Sequence, residues 1–137
     1  MISALALAAK SGVDVRIITP HHWDKWIVHM TTRAYYRPLL EAGVRLYEYS
    51  PGFLHAKTVV LDDMAASVGS TNLDMRSFDL DYEINALVYD RAFAMACRRT
   101  FEQDQAVSRQ LTPEEYRRRP LSDKIKESVL RLVTPLM

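Results

Sequence analysis

The sequence predicts an α/β fold. β-branched runs bounded by turn residues recur along the chain, and amphipathic helical stretches separate the first of them. The order helix, strand, helix, strand and then a hairpin is that of an α/β layer architecture. The 137 residues suit one domain, or part of one. A content of 48% hydrophobic and 26% charged residues is ordinary for a globular chain.

The opening "MISALALAA" reads as a helix that packs onto the strand after it. "VDVRIITP" alternates and is β-branched, which predicts a strand over 13–19 ending at Pro20. "PHHWDKWIVHM" has no clean period and reads as a loop or short helix. "TTRAYYRPLLEAG" is a helix with a Thr31 or Thr32 cap and a Gly43 stop, kinked or restarted at Pro38. "VRLYEY" is a second strand, and Ser50-Pro51-Gly52 breaks the chain after it.

Residues 53–72, "FLHAKTVVLDDMAASVGSTN", read as a hairpin turning at Asp62-Asp63-Met64. "EINALVY" is a further strand. A helix from about Arg91 to Arg109 follows, with Phe93, Cys97 and Phe101 on one face. Pro113 and Pro120 punctuate a short basic segment. The last helix, "LSDKIKESVLRLV", sets Leu121, Ile125, Val129 and Leu132/Val133 on one side.

Several function classes lose weight on composition. The net charge of +1 supplies no general field for polyanions, which weighs against non-specific nucleic-acid binding. Cys97 is the only cysteine, so it has no intrachain disulfide partner, and its helical spacing reads as a small packed hydrophobe. No apolar run reaches the roughly 20 residues that cross a bilayer. "MISALALAA" lacks a basic leader, so a secretory signal is not expected. His21, His22 and His29 match no common metal-site spacing. Trp23 and Trp26 are more often half-buried than lipid-facing. Arg117-Arg118-Arg119 reads as a solvated run that, beside the apolar last helix, offers attraction for anionic lipid.

The hairpin carries the chemistry. Alternation puts His55, Lys57, Val59 and Leu61 on one face. Both faces are mainly apolar beyond Lys57, which predicts an interior strand covered on both sides. A lysine there needs an anion. A turn centred near Asp63 places His55 opposite residue 71 or 72, so Asn72 arrives near it and Lys57. Gly69 removes side-chain bulk where a ligand approaches the backbone. An acid/base or nucleophilic imidazole, a fixed positive charge and an amide donor together suit a phosphate ester. Strict alternation sends Asp62 to the opposite face, as a turn or scaffold residue. Glu83, with Asn85 on its own side, is placed to hold an imidazole. H-x-K-x4-D alone arises by chance in roughly one such chain in a hundred. "GSTN" directly after it makes the signal strong.

On these residues the sequence resembles the phospholipase D superfamily: "HAKTVVLD" matches its H-x-K-x4-D element and "GSTN" its G-S-x-N. "GFLHAKTVVLDDMAASVGSTNLDMRSFDLDYEIN" and the flanks "SGVDVRIITP", "YRPLLEAGVRLYEY" and "RRRPLSDKIKESVLRLVTPLM" are similar to the second-motif region of bacterial cardiolipin synthases. The resemblance covers nearly the whole chain and the carboxy-terminal half of such an enzyme. It implies a phospholipase D-like half-domain, residues 1–137, with a mixed β-sheet flanked by helices on both faces.

It implies His55, Lys57, Asp62 and Glu83 as the catalytic set and Ser70 and Asn72 as substrate-binding residues. His55 is then one of two catalytic imidazoles, Lys57 and Asn72 hold phosphate, and Glu83 orients the histidine. The chemistry is a two-step displacement through a phosphohistidine, with no metal or other cofactor. The implied substrate is phosphatidylglycerol as both donor and acceptor, with glycerol released at a bacterial membrane surface. The family uses two H-x-K motifs and this chain has one. The expected partner is therefore a second half from a missing amino-terminal region, or a second copy. A self-paired nuclease-type phosphodiesterase and an inactive binding fragment are the rival readings.

Overall fold

A computed structural model describes residues 2–22, 32, 33, 35–72 and 81–119. The apolar opening stretch forms helix α1, Ile2–Lys10. The β-branched run after it gives strand β1, Arg16–Pro20, which starts later than the alternation predicts. Thr32 and Arg33 are helical, and the chain restarts as helix α2, Tyr36–Glu41, with Tyr35 at its N-cap and no side-chain cap; the expected cap at Thr31 lies outside the described residues. Pro38 explains the restart, because a proline is tolerated only in a first helical turn. Gly43 ends the helix as expected, at φ 93. Val44 N–H reaches Leu39 O at 3.0 Å and Gly43 N–H reaches Leu40 O at 3.1 Å, the paired closing bonds of a Schellman end. Strand β2 is Arg45–Tyr49.

β1 and β2 pair in parallel, with Arg16 opposite Arg45 and Pro20 opposite Tyr49. Strand β6, Ser108–Leu111, adds antiparallel to the other edge of β2. The sequence reading carried the preceding helix on to Arg109. That helix, α3, is Arg91–Ala106, capped by Asp90 through the Phe93 N–H. "SRQL" has little intrinsic strand preference, and the free edge of β2 recruits it. Thr112 then opens α4, Pro113–Arg117, with a capping box to Glu115 and proline in the first turn.

Around this first sheet Tyr36, Leu39, Leu40, Val44, Leu46, Leu111 and Tyr116 form a buried core. Ile2, Leu5, Val15 and Ile17 pack against it.

The remaining strands form a second three-stranded sheet in the order β3-β4-β5. β3 is Thr58–Leu61, β4 Ala65–Gly69 and β5 Asn85–Val88. The α/β expectation holds, with the strands shared between one mixed and one antiparallel sheet. α3 packs against strands of both. Ala66 on β4 and Ala94 on α3 are fully buried.

A further expectation fails. β3 is an edge strand, and Val59 and Leu61 are exposed. The apolar pattern on both faces is there, but among the described residues nothing closes over both of them. The expected last helix, Trp23, Trp26 and His29 lie outside the described residues. Cys97 is half-buried.

Candidate active site

The hairpin turns where the sequence places the turn. Met64 N–H bonds Leu61 O at 2.9 Å, and the central residues Asp62 and Asp63 both have positive φ, 48 and 55. Two left-handed central residues match the twist of flanking strands, and aspartate tolerates that region better than most side chains. Asp62 therefore sits at the tip of the hairpin, while His55 lies at its open end. The tie to the rest of the chain comes from its neighbour: Asp63 pairs with Arg98 on α3 at 2.5 Å.

The turn fixes the register. Thr58 faces Val68 and Leu61 faces Ala65. Gly69 N–H continues the ladder to Lys57 O at 3.2 Å. Two places further this register sets His55 across from Thr71, the nearer of the two positions expected. Asn72 is the next residue and exposed; β4 has ended at Gly69, so strand alternation no longer fixes which way it faces.

Lys57, Gly69 and Asn85 form one cross-strand row, since Gly69 also pairs with Asn85. A Cβ on Gly69 would run into the Asn85 carboxamide and the Ile84 carbonyl, and would lie 2.6 Å from the Asn85 Cα. The missing side chain at Gly69 thus makes room for the neighbouring strand, where the sequence suggested an approaching ligand. The Asn85 side chain occupies the space over Gly69 in the row of Lys57 and donates through Nδ2 to Thr71 Oγ1. Sequence reasoning grouped Asn85 with Glu83 and missed this placement. A glycine predicted opposite the start of the next strand was the available signal.

His55 is exposed, and its ring stacks on Phe53 at 5.5 Å with an interplanar angle of 20°. Lys57 Nζ donates to the His55 carbonyl at 2.9 Å, which holds the ammonium along the strand toward the histidine. Ser70 is engaged with the neighbouring strand. Its Oγ accepts from Ile84 N–H at 3.0 Å, and its own N–H reaches Ile84 O at 3.0 Å. Glu83 is half-buried and precedes β5 instead of opening it. Among the described residues it does not pair with the His55 imidazole. The geometry thus brings Lys57, Gly69 and Asn85 into one row with His55 at its rim, and leaves Asp62 at the far turn. Among the described residues no group of three or more His, Cys, Asp or Glu side chains is arranged to hold a metal ion.

An exposed imidazole, an ammonium just ahead of β3 and carboxamides near the facing strand end are groups with the chemistry to meet a phosphoester, and they stand on a phospholipase D-like fold. The fold itself matches the crystal structure of a phospholipase D family member, Nuc from Salmonella typhimurium. That likeness has a TM-score of 0.70 and 19% identity, over 81% of this chain and 72% of that one. The family model "Cardiolipin synthase, PLD-like domain" matches residues 1–105, and the chain belongs to that family. It is 47% identical over all 137 residues to the major cardiolipin synthase ClsA of Bacillus subtilis. It is 46% identical over 136 residues to cardiolipin synthase 1 of Staphylococcus aureus. The chain spans about 28% of the length of each of these relatives.

Proposed function

We propose that this chain is a single phospholipase D-like domain supplying one of two half-sites of a phosphatidyltransferase of cardiolipin synthase type. The observation that supports it most is the row of Lys57 with Asn85 on an open sheet, with an exposed His55 at its edge.

In this reading one imidazole attacks phosphorus of a phosphatidylglycerol and forms a P–N bond as the P–O bond to the glycerol headgroup breaks. The other imidazole gives its proton to the departing glycerol alkoxide. A hydroxyl of a second phosphatidylglycerol then attacks phosphorus, returns a proton to that imidazole and breaks the P–N bond. Cardiolipin and glycerol are the products. His55 is one of the two imidazoles. Lys57 and Asn72 meet the phosphate oxygens, and the ammonium offsets charge that grows on them in the transition state. Glu83 orients the ring after closure of the full site, Asp62 sets the hairpin turn, and Ser70 holds the strand end that presents Asn72.

The second half-site comes from a further part of a longer chain, which the 28% span favours over a second copy. It covers the face carrying His55, Lys57, Val59 and Leu61, whose apolar members are exposed. The working place is a membrane surface; no helix among the described residues is long and apolar enough to cross a bilayer.

The test is conversion of phosphatidylglycerol to cardiolipin and glycerol by a complete two-motif assembly containing this chain. Loss of turnover in His55→Ala and Lys57→Ala, with folding intact, supports the reading. Undiminished turnover in either variant removes that residue from the chemistry.

A further inference from the structure

Phe53 has no place in the core. It is 57% exposed, although a phenyl ring is among the groups that folding ordinarily takes out of water. What it does meet is the His55 ring, at 5.5 Å between centroids and with the two planes only 20° apart. Side chains two residues apart share one side of an extended segment, so the order Phe-Leu-His brings the rings together.

The segment that carries this pair is held at both ends. Ahead of it, His22 Nε2 donates to the Ser50 carbonyl at 3.1 Å. Behind it, Gly69 N–H bonds Lys57 O at 3.2 Å, and Lys57 Nζ donates to the His55 carbonyl at 2.9 Å. The backbone of His55 is thus anchored on a neighbouring side chain. Its imidazole, among the described residues, makes neither a hydrogen bond nor an ion pair, and its ring contact is the stack on Phe53. The outer torsion of a histidine is broad and roughly two-fold when nothing restrains it. Turning the imidazole about that bond breaks the parallel stack, so Phe53 selects the plane of the ring.

A stack suits the chemistry better than a hydrogen bond would. The lone pair of a ring nitrogen lies in the plane of the imidazole, and so does a ring N–H bond. A neighbour on the face therefore leaves both nitrogens open at the edge, where phosphorus or a departing oxygen must arrive. A hydrogen-bonding neighbour occupies one nitrogen; the phenyl ring occupies neither.

We propose that Phe53 is a positioning residue for His55, fixing the plane of the imidazole for the displacement at phosphorus. This role rests on the reading of His55 as one of the two catalytic imidazoles. Phe53 acts through the ring of His55 and takes no part in bond making.

Two measurements test it, on Phe53→Leu, which keeps bulk without an aromatic face, and on Phe53→Tyr, which keeps the face. The first follows the His55 ring-proton resonances in the 137-residue chain, assigned by their absence in His55→Ala. They should move downfield in Phe53→Leu, as the shielding of the phenyl face is lost, and stay near the parent positions in Phe53→Tyr. Both variants should melt with the parent, since residue 53 is exposed. The second measures cardiolipin formation in the complete two-motif assembly. Phe53→Leu should lower kcat about tenfold with KM for phosphatidylglycerol within about twofold, and Phe53→Tyr should keep most of the parent kcat. Resonances unmoved in Phe53→Leu, an undiminished kcat, a loss carried by KM alone or equal losses in both variants would each overturn the role. A parent assembly that makes no cardiolipin counts against the transferase reading alone; the resonances then decide whether Phe53 holds the ring.

Discussion

The two sheets of this molecule are finished to different degrees. Around β1-β2-β6, Leu46 and Val44 lie under α2, and Tyr116 and Leu111 close the edge, so the apolar pattern ends in a sealed core. Around β3-β4-β5, side chains of the same kind stay open: Val59, Leu61 and Leu87 are exposed, and α3 packs on β3 and β4. The row of Lys57 and Asn85, proposed above as part of the site, belongs to the open sheet. One region specifies a stable body; the other presents an apolar surface and reactive groups together. The proposed site residues stand on the sheet that, among the described residues, has least of its own covering, which is what the proposed shared site requires.

The largest expected effect is on the open sheet and on activity. His55→Ala in a complete assembly should lower turnover by about a thousandfold or more while the melting temperature stays unchanged, since the side chain is exposed. Chromatographic assay of cardiolipin and a thermal melt check both halves of that statement. The next effect separates the sheets by stability. Leu46→Ala removes a fully buried side chain and should cost about 3 kcal/mol, whereas Leu87→Ala on β5 should cost below about 1 kcal/mol in denaturant unfolding. Similar losses at both positions would erase the contrast between sheets.

Gly69→Ala comes third. Its Cβ meets Asn85 and Ile84 across β4 and β5, so an overpacking penalty of about 1–3 kcal/mol is expected. Turnover should fall with it, because Asn85 and the Lys57 strand must part.

A pH effect isolates the closed core. Burial pushes the Tyr36 hydroxyl up to about 12 from 10.0. The folded state then favours the protonated phenol. Its contribution is fully present below pH 10 and is lost as pH rises through the folded value near 12. Tyr36→Phe should flatten the alkaline limb of a stability–pH curve, although it also gives up the hydrogen bond to Thr19. Smallest of all is the tie between hairpin and helix. Asp63→Asn should shift the melt only slightly, and 1 M salt should reproduce most of that shift in the parent chain.

How much of this was legible in the sequence follows the same division. The Asp62-Asp63 turn, the pairing across it and the Gly43 stop were readable, because each depends on local backbone chemistry. The α4 capping box was equally local, in "TPEE", and was passed over for the prolines around it. β6 was not legible: Ser108–Leu111 is a strand only because β2 has an edge to pair with. Exposure of β3 was misread for a related reason. Sequence pattern reports what a strand is made to bury, not whether the covering part lies within the same stretch of chain. At the site, alternation grouped His55 with Lys57; both lie ahead of β3, and the contact between them is from the Lys57 ammonium to the His55 carbonyl. Alternation could not show that Asn85 lies over Gly69, or that Phe53 stacks on His55, since both depend on where separate segments end up.

The most direct test of the unfinished-sheet account is cardiolipin formation by this chain alone and after mixing with the complementary, first-motif region of a longer synthase. The account predicts no turnover by the monomeric chain, and turnover in the mixture that disappears when His55→Ala replaces the parent. Full turnover by the isolated monomer, or a tightly associated mixture that remains inert, would contradict it.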